Sequence, residues 1–173
     1  TFLAAGIDAQ HAIVEVTACS FTGGTQDVSR PMTLADAETI VRNSFFLGSE
    51  TSEAGGAIWC RGGTLAVNDS VFEGCRAGQD GGAIFAESVG PLSFNGSTFT
   101  ENAAGNDGGA IRTIEEMSRG SINHCTFTGN RAGRWGGAVS AWTDIRDSVF
   151  RENVAASIAG AVSLNGGASS SAG

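Results

Sequence analysis

Large apolar residues recur along the chain at the spacing of a repeated structural unit. In each unit, one phenylalanine ends a short segment of alternating apolar and polar residues. Consecutive phenylalanines of this kind are 25, 26, 27, 28 and 23 residues apart. These intervals match the length of one solenoid coil. The apolar runs are too short and too often bounded by glycine for helices, so they predict short strands. The members of this phenylalanine column are Phe21, Phe46, Phe72, Phe99, Phe127 and Phe150.

A small-residue signal follows the phenylalanine by nine positions in each of the last five units. It reads Gly-Gly-Ala-Ile or Gly-Gly-Ala-Val in four units and Ala-Gly-Ala-Val in the last. Paired glycines permit a sharp corner that a Cβ atom would block. The constant offset predicts that length variation falls on one edge of the solenoid, where loops protrude. The glycines of this signal are Gly55, Gly56, Gly81, Gly82, Gly108, Gly109, Gly136, Gly137 and Gly160.

Two further columns keep a constant offset from the phenylalanine. An apolar residue stands five positions before it, from Val16 in the first unit to Ile145 in the last. An asparagine stands three positions after it in the last three units, at Asn102, Asn130 and Asn153. Stacked asparagines at a bend can satisfy backbone groups and can pair with each other. We therefore expect an asparagine ladder along the solenoid.

These columns predict an all-β fold: a single-stranded right-handed parallel β-helix of about six coils, each of 23–28 residues with three short strands. Identical side chains would stack about 4.8 Å apart, and the right hand follows from the rule for parallel crossovers. The β-helix should span residues 1–165, with an irregular coil around 25–40. There the Gly-Gly signal is replaced by Arg30-Pro31-Met32, and the helix-compatible stretch Leu34–Thr39 suggests an outward excursion. Residues 166–173 form a Gly/Ala/Ser-rich tail or linker.

The Gly-Gly-Ala-Ile/Val and Phe-x-x-Asn motifs resemble the repeats of chlamydial polymorphic outer-membrane proteins and their relatives in other bacteria and algae. The resemblance covers roughly Phe46 to Val162, and complete Phe-x-x-Asn motifs begin at Phe99, Phe127 and Phe150. Cys75 stands in the asparagine column after Phe72, which departs from the motif. The resemblance implies autotransporter-type adhesins with a β-helical passenger, although such a repeat specifies fold better than function.

Composition narrows the classes of partner. The chain has 26 glycines, a formal net charge of −8 and ten basic residues, all of them arginine. It offers no basic stripe to neutralise phosphates, which argues against nucleic acid. No apolar run approaches the length of a spanning helix, which argues against membrane insertion. The absence of lysine removes phosphate-loop and Schiff-base mechanisms.

No pattern of catalytic or metal-binding residues stands out. The acidic residues scatter, and Asp80 and Asp107, each just before a Gly-Gly corner, are typical turn residues. His11 and His124 fall in coils too far apart to share a metal. We therefore expect no catalytic residue, no metal site and no cofactor. Cys60 and Cys75 could form a disulfide, or could remain buried thiols that act as small apolar groups.

One outward column carries candidate binding residues. Within the Gly-Gly strand, side chains that alternate with the inward Ile58 and Ile84 must face outward. The column predicts a contact surface for a protein or a sugar. The same aromatic residues could instead only stabilise the sheet, or be covered by a loop such as 47–53. The candidate residues, including one near the corner, are Trp59, Phe85, Arg112 and Trp135.

Two sequons add a candidate modification. Asn68 and Asn95 each begin an Asn-x-Ser acceptor sequence at the same bend of successive coils. Such sequences mark possible N-glycosylation in a secreted protein, although one or two also arise by chance. They become informative only if the chain passes through a eukaryotic secretory route.

These features favour a non-catalytic structural or adhesive segment of an extracellular or cell-surface protein. Two alternatives remain open: a carbohydrate-binding or carbohydrate-degrading module whose site lies mainly in a missing part, and a filament subunit that stacks end to end. An open β-helix end exposes unpaired strand edges. The expected partners are therefore other parts of a longer chain or copies of the chain itself, with a surface receptor or glycan as a further candidate.

Overall fold

The computed structural model describes residues 6–23, 30–114, 120–141 and 143–164. These residues form strands, bends and turns, and no helix occurs among them. The described part is therefore all-β, as predicted. The expected tail at 166–173 lies outside it, as do residues 25–29 of the coil that was expected to be irregular.

The strands follow one another coil by coil. The first coil contains β1 (Ile7–Gln10), β2 (Ile13–Thr17) and β3 (Ser20–Thr22). The five coils after it contain four strands each: β4 (Met32–Ala35), β5 (Glu38–Arg42), β6 (Phe45–Leu47), β7 (Glu50–Thr51), β8 (Ile58–Arg61), β9 (Thr64–Asn68), β10 (Val71–Glu73), β11 (Arg76–Ala77), β12 (Ile84–Glu87), β13 (Leu92–Asn95), β14 (Thr98–Thr100), β15 (Ala103–Ala104), β16 (Ile111–Ile114), β17 (Gly120–Asn123), β18 (Thr126–Thr128), β19 (Arg131–Ala132), β20 (Val139–Ala141), β21 (Thr143–Arg146), β22 (Val149–Arg151) and β23 (Val154–Ala155). A further coil begins with β24 (Val162–Leu164).

Equivalent strands of successive coils pair in parallel and build four sheets. Sheet 1 consists of β1, β4, β8, β12, β16, β20 and β24, and sheet 2 of β2, β5, β9, β13, β17 and β21. Sheet 3 consists of β3, β6, β10, β14, β18 and β22, and sheet 4 of β7, β11, β15, β19 and β23. The chain is thus a β-solenoid of about six turns. Among the described residues, length varies between sheets 1 and 2, on the predicted edge.

The phenylalanine column forms the centre of the core. Each ring lies parallel to the next, with centroids 4.6 to 4.9 Å apart from Phe21 to Phe150. The four inner rings are fully buried, while Phe21 and Phe150 are half-buried at the two ends. The ring spacing equals the spacing of parallel strands, so one register serves both the backbone hydrogen bonds and the aromatic stack.

The asparagine column closes the bend between sheets 3 and 4. The side-chain amide of Asn102 donates to the carbonyl of Phe72 and to Oδ1 of Asn130, each at 3.0 Å. Asn130 repeats this pattern with Phe99 and with Asn153 of the next coil. Asn102 and Asn130 are fully buried. The predicted ladder is confirmed, and it satisfies backbone groups that the bend would otherwise leave unpaired.

The Gly-Gly corner places glycine where a side chain is disfavoured, although Ala159 occupies the first position of the last corner with a φ of 58°. Gly81 has a φ of 62°, in the left-handed region that disfavours a side chain. A Cβ on Gly82 would collide with the carbonyl oxygen of Gly109 in the next coil. Equivalent corners stack on one another along the solenoid, so the second glycine is required by close approach of the backbones.

Two details differ from the prediction. Each of the five coils from β4 to β23 has a fourth strand of two residues, in sheet 4, where only a bend was expected. A two-residue strand is too short to show alternation in a sequence. The stretch Leu34–Thr39 is also not a helical excursion, because it contributes to β4 and β5. Met32 pairs with Ile58, so Arg30-Pro31 takes the place of a glycine corner without loss of register.

Candidate functional site

The outward column of sheet 1 lies in the predicted order. Trp59 pairs with Phe85, Phe85 with Arg112, and Arg112 with Ser140 of the following coil. The column is not an open flat surface, however. Phe85 is only 7% exposed and Ser140 is fully buried, while Trp59 and Arg112 are half-buried. The corner segments before each Gly-Gly pair form a second column, in which Asp107 neighbours Trp135.

A first cluster surrounds Trp59. The guanidinium of Arg30 lies over its ring, with Cζ 5.8 Å from the centroid. The same guanidinium forms an ion pair with Glu53. The Arg30 side chain is only 12% exposed, and that of Glu53 is 69% exposed. We call Arg30, Glu53 and Trp59 the first cluster. Its cation is buried and its carboxylate faces solvent.

A second cluster lies farther along the same face. The Arg134 guanidinium stacks on Trp135, with Cζ 4.7 Å from the ring centroid. Its Nε lies 3.8 Å from Oδ1 of Asp107. On the other side of Asp107, Nη2 of Arg112 lies 3.8 Å from Oδ2. We call Asp107, Arg112, Arg134 and Trp135 the second cluster. It joins two cations to one carboxylate and one aromatic ring.

Burial in the Asp107–Arg134 pair is the reverse of that in the Arg30–Glu53 pair. The Asp107 side chain is 6% exposed, whereas that of Arg134 is 54% exposed. Arg112 anchors the cluster to the sheet, since its Nη1 donates to Oγ of Ser140 at 3.0 Å. Oδ1 of Asp107 and Nε of Arg112 are buried without a hydrogen-bond partner. Because a buried polar group is costly when it is unpaired, these two atoms need an explanation.

Comparison with known proteins identifies the repeat. A model of the Chlamydia polymorphic membrane protein (Chlamydia_PMP) repeat matches residues 96–114 and 124–141. These two segments are similar to polymorphic membrane protein repeats. Each matched segment runs from a bend through its phenylalanine and asparagine to the strand after the Gly-Gly corner. No curated protein and no solved structure matched the chain.

The second cluster combines residues from both matched segments. Asp107 and Arg112 belong to the first matched segment, and Arg134 and Trp135 to the second. The sequence pattern predicts Arg112 and Trp135 as candidate binding residues and Asp107 as a turn residue. It does not single out Arg134, Arg30 or Glu53 as candidates. The available signal was position: Asp107 and Trp135 each stand directly before a Gly-Gly pair.

The two sequons begin in a second, outer asparagine ladder. The side-chain amide of Asn95 donates to Oδ1 of Asn68, and that of Asn123 donates to Oδ1 of Asn95, both at 3.2 Å. The serines of both sequons, Ser70 and Ser97, are buried. Glycosylation of Asn68 and Asn95 stays a prediction, and a sugar on Asn95 would replace one hydrogen of an amide that takes part in the ladder.

Three of the four cysteine thiols are buried in the packed interior. All four cysteines are free, so Cys60 and Cys75 do not form a disulfide in this structure. Burial raises the pKa of Cys60 to about 12, with a smaller contribution from the carboxylate of Asp36. Burial also raises the pKa of Cys75 to about 12, against backbone hydrogen bonds that lower it. Cys19 is exposed. The buried thiols are therefore neutral at physiological pH.

The histidines lie far from both clusters. Each pairs with the aspartate of a neighbouring coil: His11 Nε2 lies 3.7 Å from Asp36, and His124 Nε2 lies 3.8 Å from Asp147. Within the described ranges, no group of three or more histidine, cysteine or acidic residues could hold a metal ion. The same part of the chain contains no helix long and apolar enough to cross a membrane.

Proposed function

We propose that the chain is a rigid structural and adhesive segment of an extracellular or cell-surface protein, and that it acts by display and contact without catalysing a reaction. The observation that carries this proposal is the match of two segments to the polymorphic membrane protein repeat, on a solenoid whose coils stack in one continuous register. The name of that family, polymorphic membrane protein, supports a location at a membrane.

The architecture suits a spacer. Each coil adds one parallel strand to each sheet and one ring to the phenylalanine stack. Length therefore grows by about 4.8 Å per coil, and nearest-neighbour packing maintains the rod. The core residues are buried by this packing, so only outward side chains and loops can contact a partner. Of the predicted outward residues, Trp59, Arg112 and Trp135 retain partly exposed surface.

The two end faces support contact with further coils. Ile13 at one end and Ile158 and Leu164 at the other are exposed large apolar residues, and the terminal rings of the stack are half-buried. We propose that another β-helical coil of the same protein covers each end. Native mass measurement of the isolated chain checks this: a monomer at all concentrations supports coils supplied in cis, whereas concentration-dependent multimers favour a filament of separate copies.

Surface labelling tests the main proposal. Antibodies raised against the folded 173-residue chain should bind intact cells of the source organism as well as they bind permeabilised cells. A brief protease treatment of intact cells should remove this signal while a cytoplasmic marker survives. Labelling that requires permeabilisation would overturn the surface assignment. Loss of binding to host or neighbouring cells after deletion of the segment would support adhesion, and unchanged binding would leave a purely structural spacer.

A further inference from the structure

Successive coils are joined by bonds from the backbone of one coil to a serine side chain of the next. The N–H of Ser44 donates to Oγ of Ser70 at 3.2 Å, and that of Ser70 donates to Oγ of Ser97 at 3.1 Å. The N–H of Cys125 donates to Oγ of Ser148 in the same way, at 3.1 Å. All three bonds point in one direction along the solenoid. The N–H group in this column therefore depends on an oxygen that the following coil supplies.

The asparagine column adds a second bond with the same direction. The N–H of Cys75 donates to Oδ1 of Asn102 at 2.9 Å, and that of Asn102 donates to Oδ1 of Asn130 at 3.0 Å. The N–H of Asn130 continues the series with Oδ1 of Asn153, also at 3.0 Å. A coil with both columns thus takes two side-chain oxygens from the next coil, one from a serine and one from an asparagine.

Both series stop at the coil that contains β22 and β23. In the part of the chain that the structure describes, no following coil supplies oxygens to the N–H groups of Ser148 and Asn153. The ring of Phe150 in this coil is only half-buried, whereas that of Phe127 one coil earlier is fully buried. A coil that covered Phe150 would also exclude water from these two N–H groups, and a buried N–H without a partner is costly. The covering coil must therefore supply two oxygens as well as an apolar ring.

The first coil of a second copy does not meet these requirements. In a stack that places its Phe21 on Phe150, Cys19 would take the serine position and Gly24 the asparagine position. The cysteine sulfur is a weak acceptor, and Gly24, which lies outside the described residues, has no side-chain oxygen. In addition, β24 already occupies the place in sheet 1 where β1 of the second copy would have to lie. The two ends of the solenoid are therefore not complementary to each other.

We propose that the end face formed by β21, β22, β23 and β24 accepts a coil of defined chemistry and excludes the first coil of a second copy. That coil carries a phenylalanine, a serine two positions before it and an asparagine three positions after it. Its ring stacks on Phe150, its serine Oγ accepts from the N–H of Ser148, and its asparagine Oδ1 accepts from the N–H of Asn153. Residues 165–173 contain no phenylalanine and do not supply this coil. The inference rests on the proposed function, because it specifies the coil that covers one end.

The experiment compares the complete 173-residue chain with a chain that contains one additional coil. A second copy of residues 87–105 is inserted directly after Leu164, which is the register equivalent of Ala86. The inserted segment carries Ser97, Phe99 and Asn102. Hydrogen–deuterium exchange of the backbone amides of Ser148 and Asn153 is followed by NMR. We expect the insertion to slow the exchange of both amides more than about tenfold. Fast exchange of both amides in the inserted chain would overturn the proposal.

Matched variants assign each oxygen to its donor. Asn102→Ala, made in the inserted copy alone, should restore fast exchange at Asn153 and leave Ser148 slow. Ser97→Ala in the same copy should do the reverse. Slow exchange of both amides in both variants would contradict the assignment of the two oxygens.

The parent chain tests the exclusion of a second copy. Its Asn153 amide should exchange at the same rate at low and at high protein concentration. Slowing with concentration would show that copies stack end to end, which would overturn the exclusion. Because surface labelling of cells is a separate measurement, failure of this inference and failure of the proposed function are distinguishable.

Discussion

The two tryptophan clusters on the outer face use the same kinds of side chain in opposite arrangements. In the first cluster the guanidinium of Arg30 is buried and the carboxylate of Glu53 is exposed. In the second, the carboxylate of Asp107 is buried and the guanidinium of Arg134 is exposed. The two stacked guanidinium groups therefore differ in access to solvent: that of Arg30 is largely enclosed, and that of Arg134 is more than half exposed.

The physical basis is desolvation. A buried charge must find its compensation inside the protein, while the exposed member of the pair keeps its hydration. Arg30 meets this need with one carboxylate and one ring. Asp107 meets it with two guanidiniums, of which only Arg112 is anchored by the sheet. Arg134 is therefore the charged member of the second cluster that can change its side-chain conformation at least cost.

The largest expected effect comes from the core beneath both clusters. Phe99→Ala removes a fully buried ring that stacks on Phe72 and Phe127. It should lower the free energy of unfolding by about 3–5 kcal/mol, as measured by urea denaturation. Since the stack connects the coils of both clusters, tryptophan fluorescence and circular dichroism should report one shared transition. Separate transitions would show that the two regions fold independently.

Removal of the carboxylate should reduce the free energy of unfolding by different amounts in the two clusters. Asp107→Ala leaves the largely buried Arg112 without its counter-charge and should cost about 2–3 kcal/mol. Glu53→Ala removes an exposed partner, and solvent screening limits the loss to about 1 kcal/mol or less. Chemical denaturation of the two variants beside the parent gives the comparison. Equal losses would mean that the reversed burial has no energetic consequence.

Alkaline pH should destabilise the folded protein by ionising a buried thiol beside the first cluster. Cys60 follows Trp59 in β8, and its folded pKa of about 12 lies above its ordinary value of 9.0. The stability that depends on the neutral thiol is complete below about pH 9 and is lost as pH rises toward 12. At pH 10 the loss should be about 1 kcal/mol per buried thiol. Thermal melts from pH 8 to 11 measure it.

The control for the alkaline effect is Cys60→Ala. This variant should show a shallower decline of melting temperature with pH than the parent, because one ionisable thiol is gone. Arg112 of the second cluster lies in β16, where the inward residue in register with Cys60 is Thr113, so no thiol there contributes. A slope unaffected by the substitution would assign the pH effect to other groups.

The smallest expected effects concern the arginines themselves. Arg30→Lys replaces a buried planar guanidinium with a compact ammonium and should cost about 1 kcal/mol, because stacking and ion-pair geometry are both impaired. Arg134→Lys keeps its charge at an exposed position and should cost less than about 0.5 kcal/mol. Denaturation curves measured at low salt can resolve the difference in stability between the two variants. A larger loss for Arg134 would reverse the interpretation of the two clusters.

The repeat made much of the fold predictable. In a parallel solenoid, residues at equal offsets lie directly above one another, so a column in the sequence is also a column in space. That rule predicts the Phe99 stack, the Asn102 ladder and the Gly81-Gly82 corner from the sequence. The rule gives no prediction where the sequence shows no column. The two-residue strands of sheet 4 are one such case. The coil around Met32 is another, because Met32 pairs with Ile58 without a preceding glycine pair.

The sequence by itself determined the coil period, the inward residues and the order of the outward column, because all three depend on offsets along the chain. Only the tertiary structure decided which outward residues reach solvent. The enclosure of Phe85 and the reversed burial of Arg30 and Arg134 depend on how each corner segment lies against the strand it precedes. Such contacts join residues of different coils through side-chain conformation, which periodicity does not encode.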